Sequence, residues 1–247
     1  MISKKNPLNL LLITLLITFS CSKSDDNITD NGNTGNPSGV TCTDPSKFIF
    51  NEKDGFIKSE FEKTTFPNDW KLKTNNNASG KGYGVWEGQQ SLGKPGNGLI
   101  EFKINVKTTG VYRFLWSSAV TKGTNGSDHN DSWLKFPDAT DFYGEKNGAK
   151  IYPKGSGKTP NPKGSSADGW FKIYRSGNNL DFKWQASTSD NDAHNVYVAF
   201  NKAGVYTMQV SARSSGHAID QFILYKEDKY TEKEATEKTT FSEVSCN

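Results

Sequence analysis

Ile100-Glu101-Phe102-Lys103-Ile104-Asn105-Val106 alternates apolar and polar residues without a break. A period of two marks a strand with one face in a core and the other in water. Working outward, shorter runs of the same kind stand at 111–118, 133–136, 170–174, 182–186, 196–200, 206–212 and 219–225, separated by Gly, Asn, Asp, Ser and Pro. No stretch between them sustains a helical period. About eight short strands with polar turns predict an all-β fold, an antiparallel β-sandwich of the jelly-roll type. Thr109-Gly110-Val111-Tyr112 and Ala203-Gly204-Val205-Tyr206 echo one another, each following one strand and opening the next. The echo reads as shared hairpin chemistry rather than as a duplicated domain.

The 247 residues are 33% hydrophobic and 12% aromatic, a chain of few aliphatics and many rings. That excludes a helical bundle and a polytopic membrane protein. A net charge of +3 gives no support for a nucleic-acid partner. The average hides a division, because residues 47–226 carry 24 Lys and Arg against 17 Asp and Glu while the flanks are acidic.

The chain opens with Lys4 and Lys5, an apolar run over 8–19, then Ser20 and Cys21. The run is too short to span a bilayer comfortably and reads as a signal peptide over 1–20. A small residue before cysteine resembles a bacterial lipobox, with Thr18 where that pattern usually has Leu. The resemblance implies lipidation of Cys21. Lys23, Asp25 and Asp26 resemble the signal that sends some lipoproteins to the outer face of the outer membrane, so the expected membrane attachment is through the lipid alone. Residues 21–46 read as a disordered tether, 47–226 as the folded unit and 227–247 as a charged, solvated tail able to form a short helix. Setting Cys21 aside leaves Cys42 and Cys246, expected to pair in an oxidising exterior.

Five short motifs in order resemble the carbohydrate-binding modules of families 6 and 35. They are Glu60-Phe61-Glu62, then Trp70 with Asn77-Ala78-Ser79-Gly80-Lys81-Gly82-Tyr83, the strand at 99–106 with Gly110-Val111-Tyr112, Ala203-Gly204-Val205-Tyr206, and Ala218-Ile219-Asp220-Gln221-Phe222. The resemblance implies a galactose-binding-like sandwich, a polysaccharide ligand and a structural calcium ion. Glu60, Glu62 and Asp220 are its expected ligands, since hard cations take several oxygen donors.

Polar loops supply the candidate sugar contacts. Asp128-His129-Asn130-Asp131 leads into Trp133, Asp192-Ala193-His194-Asn195 leads into Tyr197, and Arg213-Ser214-Ser215-Gly216-His217 precedes the last core strand. Tyr83, Trp86, Trp133 and Tyr143 could stack on pyranose faces. Trp116 and Trp184 read as core, whereas Trp86 and Trp133 stay open between core and exposed platform.

Residues 144–169 form a second candidate surface, rich in Gly, Pro and Ser, with lysines at 146, 150, 154, 158 and 163. Gly155-Ser156-Gly157-Lys158-Thr159 is no phosphate loop, because Tyr152 stands where Gly is needed and Pro160 and Pro162 prevent the following helix. A cationic loop beside a sugar site points to an anionic glycan, a uronate or a sulfated galactan. The expected protein is a non-catalytic capture lipoprotein serving glycan-degrading enzymes or an outer-membrane transporter. The alternative is a β-sandwich lyase or hydrolase using His129, His194 or Tyr143 as acid and base, with Arg213 neutralising a uronate.

Overall fold

The structure is a computed structural model that describes residues 42–246. Strand Ile100–Val106 sits at the centre of one layer, with Ile100, Phe102, Ile104 and Val106 buried and Glu101 exposed. It pairs antiparallel with Gly204–Ser211, from Val106 opposite Gly204 to Ile100 opposite Val210. This layer runs Val244–Cys246, Phe48–Asn51, Ile100–Val106, Gly204–Ser211, Asp131–Lys135 and Trp170–Tyr174, with Ser166–Ala167 beyond. Only Phe48–Asn51 beside Ile100–Val106 is a parallel pair among these.

The second layer runs Phe56–Glu60, His217–Tyr225, Gly110–Val120, His194–Phe200, Asp141–Lys146 and Ala149–Ile151. The hairpin Trp70–Lys73 and Tyr83–Trp86 extends it beside Ala218 and Ile219. Ser187–Thr188 pairs with Tyr174 of the first layer and with His194 and Asn195 of the second, closing one side of the sandwich. The architecture is the expected all-β sandwich.

Rings fill the space between the layers. Phe102 meets Phe50 and Phe222, and Phe136 meets Phe114, Phe142 and Phe200, all at tilted or edge-on angles. Each such pair adds about 0.5–1.5 kcal/mol beyond area burial, which lets an aliphatic-poor sequence hold a core.

The C-terminal segment is part of the fold, where a solvated tail was expected, although the short helix does form. Thr231 and Glu234 make a reciprocal capping box that starts helix Glu232–Glu237, and Ala235 beneath it is buried. Arg113 holds Glu227 at 3.1 Å and Glu232 at 2.8 Å, so the turn is docked on the second layer. The chain then returns as Val244–Cys246 along Phe48–Phe50, and Cys246 is bonded to Cys42 with Cα atoms 5.4 Å apart. All described residues belong to one compact unit. The signal segment, Cys21 and residues 21–41 of the expected tether lie outside them.

Candidate functional site

On strand Asp131–Lys135, pleat alternation sends Ser132 and Leu134 inward and Asp131 and Trp133 outward. Trp133 is nevertheless only 1% exposed, because other chain segments cover it. Its indole N–H donates to the Ser91 carbonyl at 2.9 Å, and the Arg213 guanidinium lies over its ring, 5.3 Å from the centroid. Arg213 Nη1 pairs with Asp131, Nη2 donates to Ser165 Oγ at 3.0 Å, and the Ser214 hydroxyl donates to Asp131. Opposite Trp133 on the neighbouring strand, Lys172 pairs with Asp190, and the Tyr174 hydroxyl donates to the Ser189 carbonyl at 3.1 Å. Three predicted residues, Asp131, Trp133 and Arg213, thus meet on one outer face. Lys172, Asp190 and Ser165 join them unforeseen. Lys172 was readable as outward, since Phe171 and Ile173 flank it in an alternating strand.

The segment between Lys146 and Trp170 is ordered by its own backbone. Tyr152 N–H donates to the Pro160 carbonyl at 2.8 Å, Gly169 N–H to Lys154 at 2.9 Å, and Asp190 N–H reaches in to the Lys163 carbonyl at 3.1 Å. Ser165 ties it to Arg213, so this loop and the Trp133 face form one continuous surface. Two of its lysines rest on rings, with Lys150 Nζ 4.0 Å from the Tyr143 centroid and Lys158 Nζ 5.4 Å from that of Tyr152. Burial pushes the Tyr143 hydroxyl up, although Lys150 works against it. Lys135 lies 5.9 Å from the Trp170 centroid, and Lys135 and Lys158 both line an open cleft of about 240 Å³ together with Asp141, which pairs with Lys158 at 2.9 Å.

Other predicted contacts go elsewhere. Trp86 is 1% exposed, packs on Trp70 and donates to the Gln89 carbonyl, while Tyr83 is buried against Phe182. Neither is an exposed platform, and neither are Trp133 and Tyr143, because loops and neighbouring strands cover faces that the strand pattern leaves open. His217 is wholly buried, with Nδ1 2.8 Å from Ser132 Oγ, and burial, aided by the Arg175 charge, pushes its imidazole down to about 3. It is an interior group rather than a surface contact. Asn130 is buried too, its amide bonded to the Arg175 carbonyl. His129 is half-buried at a positive φ of 58°. Asp192, held below the usual carboxylate range by Lys146, borders the lysine loop with half-buried Asn195. His194 is buried with Nδ1 2.5 Å from the Asp192 carbonyl. The registers put Tyr143 and His194 on opposite sheet faces, so they do not form an acid–base pair.

A separate carboxylate cluster surrounds Ser79. Ile219 stands opposite Ser118 and Gln221 opposite Ser117, which makes Asp220 the extra residue of a bulge. The bulge lets the Asp220 carbonyl accept from Phe61 N–H at 2.7 Å while its carboxylate accepts from Ser79 N–H at 2.9 Å. Ser79 Oγ is 2.6 Å from Glu60 Oε2 and 3.1 Å from Asp220 Oδ1, and Lys81 N–H donates to Glu62 Oε1 at 2.8 Å. Gly80 fits between the acids, since a Cβ there would lie 2.5 Å from Glu62 Oε1. Burial, with Glu60 adding, pushes Asp220 up to about 6, and burial pushes Glu62 up as well. Among the described residues no three acidic, His or Cys side chains already stand around a common point as a metal would hold them, because Ser79 separates Glu60 from Asp220. The donor chemistry still fits a hard cation: three clustered acids, and a buried Glu62 Oε2 with no partner.

No protein-family model matches this sequence, and no curated protein does. Among solved structures, the chain is similar to the Podospora anserina GH26-CBM35 β-(1,4)-mannanase, at 17% identity and a TM-score of 0.40. The match covers 70% of this chain and 28% of that one.

Proposed function

We propose that the domain is a non-catalytic polysaccharide-binding module, carried on a lipoprotein anchored through Cys21 at the outer face of the outer membrane, and that its ligand is an anionic glycan. The observation that supports this reading is the lysine loop, where Lys150 and Lys158 sit on the rings of Tyr143 and Tyr152 beside the Arg213–Trp133 face. The Tyr143 and Trp133 rings are buried and covered, so they serve to hold Lys150 and Arg213 in place, and cations fixed in this way suit carboxylate or sulfate groups. Captured glycan would pass to degrading enzymes or to a transporter. Glu60, Glu62 and Asp220 would hold a calcium ion that fastens the Phe56–Glu60 strand to the bulged strand His217–Tyr225, a structural role away from the ligand.

The test is affinity electrophoresis on polygalacturonate, alginate and neutral mannan at several salt concentrations, with Lys150→Ala/Lys158→Ala beside the wild type. Retention on the acidic glycans should fall with salt and weaken about tenfold or more in the double variant. Equal, salt-insensitive retention on charged and neutral glycans would remove the anionic ligand, and unsaturated products would make the protein a lyase. Cys21→Ser should release the protein from the membrane fraction.

A further inference from the structure

At one end of the sandwich the interior turns polar. Arg175 follows the inward residue Ile173 by two positions, so its side chain is also directed between the layers. Its backbone is fixed there, with its N–H donating to the Asn130 carbonyl at 3.1 Å and its own carbonyl accepting from the Asn130 amide. The residue is 0% exposed, and Nε, Nη1 and Nη2 all lack hydrogen-bond partners.

The groups around this end share a chemistry. His217 comes from the facing layer, near enough to Arg175 for the cation to help keep its imidazole neutral, and its ring lies 5.2 Å from that of Trp116. Trp116 Nε1, Ser118 Oγ and His217 Nε2 are each buried without a partner. Trp116 and Ser118 are two residues apart on the inward face of Gly110–Val120. Guanidinium and indole can only donate, and imidazole Nε2 donates when Nδ1 accepts from Ser132. A buried cation without an anion is among the costliest arrangements in a protein interior. The acid whose field Arg175 feels, Asp181, is exposed and makes no hydrogen bond to it.

We infer that this end of the sandwich is an oxyanion receptor, in which Arg175 and the surrounding donors take one carboxylate or sulfate group. Segments 121–130 and 176–182 press together beside Arg175, the Gly177 carbonyl lying 1.8 Å from where a Cβ on Gly126 would be, so an anion enters by parting them. The occupant is either a free small anion or the charged substituent of an acidic sugar. The inference stands apart from the glycan reading, because a free anion satisfies it even when no polysaccharide binds.

Thermal melts at constant ionic strength, with chloride progressively replaced by acetate, by sulfate or by galacturonate, test it on the mature wild-type protein and on Arg175→Met. Wild type should gain about 4 °C in a saturable way with at least one of the three, and Arg175→Met should gain nothing. The variant should fold, since an apolar chain of similar length replaces an unpaired buried charge. Independently, the Nε–H resonance of Arg175 in the unaltered protein should shift during the same titration. A response to acetate or sulfate alone identifies the free anion, and a response to galacturonate extends the receptor to sugar acids. Melts indifferent to the anion with an unmoved resonance, or an equal gain in Arg175→Met, would overturn the inference.

Discussion

The Arg213 guanidinium covers the Trp133 ring at 5.3 Å while its Nη1 holds Asp131, so one side chain closes both an aromatic face and a buried charge. Arg213→Ala should therefore cost about 3–5 kcal/mol, as it leaves the Asp131 carboxylate buried without its cation. Arg213→Lys should cost less, losing the Ser165 contact but keeping the charge. Urea denaturation of the two variants checks the order.

Glu60, Glu62 and Asp220 yield an opposite response to pH and to calcium. The folded Asp220 carboxyl, at about 6 against 3.8 for the ordinary group, binds its proton more tightly than the unfolded chain does. Its contribution is full below pH 4 and is lost as pH rises through 6, on the order of 2 kcal/mol. Without calcium this site alone should favour mild acid; with calcium the melting temperature at pH 7 should rise by several degrees. Asp220→Asn should abolish both effects, and superimposable melts with calcium and with chelator would remove the metal.

His217 acts in the other direction. Its folded imidazole, pushed down to about 3 from 6.5, stays neutral while the unfolded chain takes up a proton. Stability from this residue is complete above pH 6.5 and is lost as pH falls toward 3, about 3 kcal/mol by pH 4. In an Asp220→Asn background, where the opposing slope is gone, His217→Gln should flatten the acid limb of the stability profile.

The Cys42–Cys246 bridge spans 204 residues. Chain-entropy arguments assign such a loop about 5 kcal/mol before strain. Cys42→Ser/Cys246→Ser should lower the urea midpoint accordingly, with the loss concentrated at the edge strand Val244–Cys246, readable as early amide exchange there.

Much of the fold was legible in the sequence because its strands alternate cleanly, as Ile100–Val106 does with four buried residues in register. The site was only partly legible. Asp131, Trp133 and Arg213 meet through contacts between residues 82 positions apart, and no local pattern carries that information. Trp86 and Trp133 stayed undecided between core and exposed platform, because alternation reports only which face of a sheet a residue takes. Whether a loop such as the one bearing Ser91 later covers that face is a tertiary fact. The tail's charges are exposed as expected, but its attachment to the domain was not legible, because it rests on the Arg113 pairs with Glu227 and Glu232, backbone bonds, a buried Ala235 and a disulfide. Composition registers none of these.

The two ends of the described chain meet at one sheet edge and are covalently joined, which makes that edge a mechanical coupling. Tension entering at Cys42 does not peel Phe48–Asn51 from its neighbour alone, because the Cys246 bond shares it with Val244–Cys246, the antiparallel strand alongside. A load applied at Cys42 would thus meet two strands in shear and a covalent link, and a reducing environment would remove the link.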